Sequence, residues 1–229
     1  MFEFLFLDLD DTILDFQKAE RIALSKTLSS FGLEPTGQVC SLYSRINKAH
    51  WERLERKELT RDQVLTGRFQ LLFEQVGVDA DPVQVAASYE SNLSVGHYFL
   101  PGAEQALKLL SKKHQLYLAS NGTARVQAGR LKSANISHYF QKIFVSQEVG
   151  ADKPSREYFE RCFAQIPGFD PAKALMVGDS LTSDIRGGQN AGIAACWVNP
   201  GHKPRRDDIR VDYEIERLSD LPTLLDSLQ

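Results

Sequence analysis

The apolar residues of this chain fall into two patterns. The first run, Phe2 to Leu7, is interrupted only by Glu3. A segment so continuously apolar predicts a parallel strand covered on both faces rather than one with a wet face. From about Phe16 to Leu93 apolar positions recur at helical spacing and strand-like runs are absent. Glycine and proline breaks near Gly32–Pro35 and Gly77–Pro82 divide this stretch into several helices. From Tyr98 the pattern changes. Pro101-Gly102 opens a helix, and Gln115 to Ser120 reads as a strand. Further strands are predicted at Lys142 to Ser146, Ala174 to Gly178, Ile193 to Val198 and Val211 to Ile215, with helical stretches between most of them. Alternating strands and helices imply an α/β fold with a doubly wound parallel sheet, Rossmann-like in plan. The opening strand belongs with the later ones. The expected organisation is an α/β catalytic core of residues 1–15 and 94–229, interrupted by a helical cap of residues 16–93.

Four of the predicted strands or their following helices begin or end on polar clusters. The first strand runs into Asp8-Leu9-Asp10-Asp11-Thr12, at the end of a parallel strand where open α/β sheets bind ligands. Two unit charges about 4 Å apart repel by about 4 kcal/mol at an effective dielectric of about 20. Three carboxylates in four positions therefore need a positive partner or must point apart. Ser120-Asn121-Gly122-Thr123 closes the second strand and reads both as a turn with a helix cap and as an anion cradle of backbone N–H groups. Asp152-Lys153-Pro154 reads both as a routine helix start and as an ammonium placed on a phosphate beside a nucleophile. Gly178-Asp179-Ser180-Leu181-Thr182-Ser183-Asp184 follows a fully apolar strand, and either aspartate also suits a helix cap.

The combination is more informative than its parts. Neighbouring parallel strands lie about 4.8 Å apart, so clusters distant in sequence can meet in one crevice. Asp8, Asp10, Asp179 and Asp184 would then share a site with Lys153. Hard oxygen donors of this kind suit Mg²⁺, with Mn²⁺ a second choice, and the absence of thiolate and imidazole from the clusters argues against zinc.

Asp-x-Asp-x-Thr, Ser-Asn, Lys-Pro and Gly-Asp-Ser-x-x-Ser-Asp, in this order from Phe4 to about Pro200, resemble the haloacid dehalogenase superfamily of phosphotransferases. The resemblance implies that Asp8 is a nucleophile forming an aspartyl-phosphate and that Asp10 protonates the leaving alkoxide and later deprotonates the attacking water. It implies Mg²⁺ held by the carboxylates of Asp8 and Asp179 and the backbone carbonyl of Asp10. Ser120, the amide of Asn121 and Lys153 would hold phosphoryl oxygens. Asp184 would support the metal waters or Lys153, Thr12 would steady the first loop, and Asp11 would face away. The hydrolytic dehalogenases of the superfamily lack the second aspartate, because a halide leaves without a proton, so Asp10 points to phosphate chemistry. The stretch Gly178 to Gly192 with Cys196-Trp197-Val-Asn-Pro200 is similar to the bacterial pyrimidine 5′-nucleotidase branch. The function so implied is Mg²⁺-dependent phosphomonoester hydrolysis, most specifically on pyrimidine nucleoside monophosphates. Alternatives are a phosphatase for phosphoglycolate or a sugar phosphate, a phosphomutase that excludes water, and a non-catalytic binding protein on the same fold. The helical cap is expected to close during transfer and exclude bulk water.

Composition narrows the partners. The 229 residues hold 42% hydrophobic and 25% charged residues, ordinary for a globular protein, and the formal net charge of -3 supplies no attraction for nucleic acid or anionic membranes. The one basic cluster, Lys203 to Arg206, is followed by Asp207-Asp208 and reads as a solvated loop. Cys40, Cys162 and Cys196 are widely spaced and suit free thiols in a reducing cytoplasm. Phe2 to Leu7 is too short for a secretory h-region and lacks a basic n-region, so a cytoplasmic protein is expected, with a small-molecule phosphomonoester as its partner. Histidines 50, 97, 114, 138 and 202 show no ligand spacing. His50-Trp51 reads as helix packing, with stacking on a pyrimidine ring the other possibility. Gly187, Gly188 and Gly192 read as close helix packing on the sheet.

Overall fold

A computed structural model describes residues 2–228. Its centre is a six-stranded parallel sheet of β1 (Phe4–Leu7), β2 (Gln115–Ser120), β3 (Lys142–Val145), β4 (Ala174–Gly178), β5 (Ala194–Val198) and β6 (Tyr213–Ile215), in the order β3-β2-β1-β4-β5-β6. The predicted strands form, some a residue or two shorter than expected. Successive side chains of a strand point to opposite faces, and both faces here are covered. Phe4 and Phe6 join Tyr117, Phe144 and Met176 on one face, while Leu5 and Leu7 join Leu116, Leu118, Leu175 and Val177 on the other. That double burial accounts for the continuous run at the start of the chain. On the aromatic face the Phe6, Tyr117 and Phe144 rings form a near-parallel triangle, with centroids 5.2 to 6.5 Å apart.

The described chain divides into two compact units: one of residues up to Phe16 together with those from His97 onward, and one of Gln17–Gly96. The second unit is helical, built on α1 (Phe16–Ser30), α2 (Gly37–Glu55), α3 (Arg61–Val76) and α4 (Pro82–Leu93). Thr36 and Asp81 cap the second and fourth helices, and Gly77 ends the third with φ 69°. The α2–α3 break was not expected, since no glycine or proline marks it. Thr60 and Gln63 form a reciprocal capping box there. Tyr43, Phe69 and Tyr89 meet in the middle of the unit with centroids 5.0 to 5.4 Å apart. Beside them Asn47 joins two buried charges, donating to Glu20 Oε1 at 2.7 Å and accepting from Arg68 Nη1 at 2.8 Å. His50 and Trp51 are held in this packing: His50 Nδ1 lies 2.8 Å from the Ile46 carbonyl, and Trp51 Nε1 donates to Asn47 Oδ1 at 3.1 Å.

The sheet unit carries α5 (Ala103–Leu110), α6 (Ala124–Ala134), α7 (Ser146–Val149), α8 (Arg156–Phe163), α9 (Arg186–Ala191) and α10 (Leu221–Ser227). Gly188 packs on the sheet as expected, where a Cβ would lie 3.2 Å from Ala195 Cβ, whereas Gly187 faces α8, where a Cβ would lie 2.7 Å from the Phe159 ring. Gly192 does something else. It ends α9 in the left-handed region, at φ 73°. Among the described residues no helix is long and apolar enough to cross a membrane.

Candidate active site

β1 lies between β2 and β4, and the strand order runs outward in both directions from this pair of neighbours. In such sheets ligands bind beyond the carboxyl ends of the strands where the order reverses. Leu7 is level with Leu118 and Val177, and the Asp8 N–H continues the ladder by donating to the Val177 carbonyl at 2.9 Å. Asp8, Ser120 and Asp179 thus leave the sheet at one end.

Lys153 organises the centre. The side chain is 1% exposed, and its ammonium donates to Asp8 Oδ1 at 2.8 Å, Asp184 Oδ1 at 2.6 Å and the Ala119 carbonyl at 2.6 Å. An ammonium has three protons to give, and each has an acceptor here. The positive partner demanded by the crowded aspartates is therefore present. Asn121 holds this lysine through the backbone: its Oδ1 accepts from the Lys153 N–H at 2.8 Å and its Nδ2 donates to the Lys153 carbonyl at 2.9 Å. The Lys153–Pro154 bond is cis. The Asn121 side chain thus positions Lys153, and any contact of this residue with a phosphoryl oxygen would come from its main-chain N–H.

Asp184 is fixed from its other oxygen by the Ser180 N–H at 3.0 Å. A Cβ on Gly178 would overlap the Asp184 carboxylate, so the glycine ending β4 is the space this side chain fills. Asp8, Asp179 and Asp184 each present an oxygen within 4.8 Å of the others. Burial pushes the Asp8 carboxyl up to about 8 against the downward pull of Lys153, with Asp184 and Asp10 adding to the rise. Burial also raises Asp179 well above the usual carboxylate range, and Asp184 and Asp8 add to it. Burial pulls the Lys153 ammonium down, but Asp184 and Asp8 outweigh it and the net shift is upward. Three carboxylates against one ammonium leave a deficit of positive charge, which is the condition for a divalent cation.

Asp10 stands apart from this group. Its side chain is ion-paired with Arg130 through Oδ1, and Oδ2 accepts from Gln127 Nε2 at 2.7 Å. Gln127 Nε2 also lies 2.8 Å from Ser120 Oγ, and Arg130 Nη1 donates to Gln127 Oε1 at 3.2 Å. The Asp10 carboxylate is therefore not part of the acidic trio, and the metal role expected of Asp10 is that of its backbone carbonyl. Gly122 makes room for this arrangement, since a Cβ there would lie 2.6 Å from Gln127 Cδ. Neither Gln127 nor Arg130 was anticipated. Both are buried on α6 next to buried Val126 and Leu131, where an amphipathic helix carries apolar residues, and that misplaced polarity was the available signal.

The rest of the first loop is local. Asp11, at φ 54°, turns its carboxylate onto the Phe16 N–H at 2.9 Å and so faces the start of α1. The Thr12 hydroxyl is buried and meets no hydrogen-bond partner among the described residues. Support of the loop comes instead from backbone bonds of Ile13 and Leu14 to the Leu9 carbonyl.

Residues 5–198 match the family described as Haloacid dehalogenase-like hydrolase. The chain is 38% identical over 221 residues to YfnB of Bacillus subtilis (strain 168), a protein assigned to the HAD-hydrolases, covering 96% of this chain and 94% of that one. It is 37% identical to the pyrimidine 5′-nucleotidase PynA of Streptococcus pneumoniae, with 98% and 95% covered. It is 28% identical to the pyrimidine 5′-nucleotidase YjjG of Escherichia coli, with 97% of each covered. The crystal structure of YfnB bound to magnesium superposes with a TM-score of 0.94 over 98% of this chain and 99% of that one.

Proposed function

Because the chain belongs to the haloacid dehalogenase-like hydrolases, we propose that it hydrolyses phosphomonoesters through a phosphoaspartate at Asp8, with pyrimidine nucleoside 5′-monophosphates as its substrates. The observation that carries the reaction is Asp8 at the carboxyl end of β1, its Oδ1 2.8 Å from a buried lysine, with Asp10 held two residues on. The substrate class rests on the likeness to PynA and YjjG along nearly the whole chain.

The all-oxygen trio of Asp8, Asp179 and Asp184 suits a hard cation. Mg²⁺ fits this donor set and would be held by the carboxylates of Asp8 and Asp179 and the backbone carbonyl of Asp10, with Asp184 kept for Lys153. When bound, it would supply positive charge to the phosphoryl oxygens. Ser120 and the Asn121 N–H bind and orient the remaining oxygens, and the Lys153 ammonium offsets their charge, turning the proton it gives Asp8 toward a phosphoryl oxygen as that carboxylate is esterified. One oxygen of Asp8 attacks phosphorus as the bond to the leaving alkoxide breaks, and Asp10, which enters this step as the protonated acid, gives that alkoxide its proton. Water then attacks the phosphorus of the phosphoaspartate. Asp10 takes the water proton, the Asp8 oxygen leaves, and inorganic phosphate is released. Splitting the hydrolysis in this way replaces one difficult step with two easier ones.

Release of inorganic phosphate from a panel of nucleoside monophosphates, phosphoglycolate and hexose phosphates tests the reading. Preference for UMP, CMP or dTMP is expected. Turnover confined to phosphoglycolate or sugar phosphates would overturn the substrate class, and an isomerised sugar phosphate without free phosphate would replace hydrolysis by mutation of the ester position. Metal binding has its own readout. A ligand at 100 times its Kd stabilises the native state by about 2.7 kcal/mol, which for a chain of this size raises Tm by about 5–10 °C. Saturating Mg²⁺ is expected to produce that rise over the EDTA-treated protein in a thermal melt. Identical melts would remove the metal from the acidic trio.

A further inference from the structure

We infer that Arg130 and Gln127 are positioning residues for Asp10, and that they tie the proton-transfer carboxylate to the phosphate-binding hydroxyl of Ser120. The inference rests on the proposed hydrolysis. Its basis is a connected set of contacts made by two side chains of one helix. Arg130 and Gln127 lie one turn apart on α6, so both side chains share a face. Arg130 is fully buried and ion-paired with Asp10 Oδ1; Gln127, 1% exposed, donates to Asp10 Oδ2 at 2.7 Å and lies 2.8 Å from Ser120 Oγ. Arg130 Nη1 also donates to Gln127 Oε1 at 3.2 Å, which fixes the amide so that its nitrogen faces Asp10 and Ser120. A guanidinium so completely removed from water is costly unless it is paired and hydrogen-bonded. Its retention here is explained if what it holds must be held in one place.

A carboxylate has about four lone-pair sites. With one donor on each oxygen, Asp10 keeps a free lone pair on either side for the proton of the leaving group and of water. The two contacts therefore fix the carboxylate without using up the sites that chemistry needs. They also leave it a single orientation relative to Ser120. An unheld aspartate on a loop would sample several rotamers, and a misplacement of about 1 Å can cost about 10²-fold in rate. The structure supplies a second sign of this design at Gly122, where any side chain would collide with Gln127.

The test exploits the leaving group. An alkoxide departs poorly without a proton, whereas p-nitrophenolate needs none, so a residue acting through Asp10 affects the two unequally. Arg130→Met is expected to lower kcat/KM for UMP by about 10²-fold, the lower end of general acid–base contributions, and for p-nitrophenyl phosphate by much less. In an Asp10→Asn background the same change is expected to add almost nothing, since the residue it positions is gone. Gln127→Leu and Gly122→Ala are expected to show the same leaving-group split, and they carry the test if the Arg130 variant does not fold. Equal losses on both substrates in all folded variants, or full additivity with Asp10→Asn, would overturn the positioning role. Wild-type protein that turns over neither ester would instead overturn the proposed hydrolysis.

Discussion

Asp8→Asn is expected to lower kcat for phosphate release by at least about 10⁴-fold, the scale on which loss of a covalent nucleophile is felt. An amide oxygen has neither the charge nor the basicity to displace an alkoxide from phosphorus. The substitution is nearly isosteric, so the Lys153 ammonium keeps Asp184 and the Ala119 carbonyl as acceptors. It also removes one of three clustered carboxylates whose burial is opposed by only one cation. The variant should therefore fold and melt no lower than the parent, which separates loss of chemistry from loss of structure. Steady-state phosphate release and a thermal melt on the same preparation check both parts.

Lys153→Met is expected to damage stability and rate together. Removing one partner of a buried ion pair leaves an uncompensated charge and costs about 3–5 kcal/mol, which in a chain of this length lowers Tm by roughly 10 °C. Here two carboxylates, Asp8 and Asp184, lose the same partner at once. Loss of a preorganised donor at a developing charge costs a further 10²–10³-fold in kcat, on the order seen for oxyanion donors. Lys153→Arg is not expected to rescue either effect. The three acceptors converge on a compact ammonium, and a planar guanidinium cannot address them in that arrangement. Melting curves with and without Mg²⁺, beside turnover at saturating substrate, measure both; an unchanged Tm would mean that the buried trio does not depend on Lys153.

The strands were legible because burial on both faces writes itself as an uninterrupted apolar run, as in Phe4–Leu7 and Ala174–Gly178. Three of the polar clusters stood out because each follows such a run at its carboxyl end, while Asp152-Lys153-Pro154 lies beyond β3 and the short α7, where only its place in the order of motifs marked it. What the chain concealed is non-local or carried by shape. The bond between the Asn121 side chain and the backbone of Lys153 joins residues 32 positions apart, and no local pattern encodes it. Gly122 and Gly178 look like turn glycines, yet each is the space occupied by another side chain, Gln127 in one case and Asp184 in the other. Arg130 and Gln127 were hidden in a helix, where a polar residue in the apolar stripe is easily taken for the edge of the wet face. The break before α3 had a signal of a different kind: Thr60 and Gln63 form a capping box without help from glycine or proline.

The most direct measurement is acid quench of the protein within its first turnovers on ³²P-labelled substrate, followed by digestion and mass spectrometry of the labelled peptide. Acid-stable recovery of phosphate on Asp8, formed and lost at rates that match turnover and absent from Asp8→Asn, is the result expected. Label on any other residue, or full turnover of the Asp8→Asn protein, would contradict covalent transfer through Asp8.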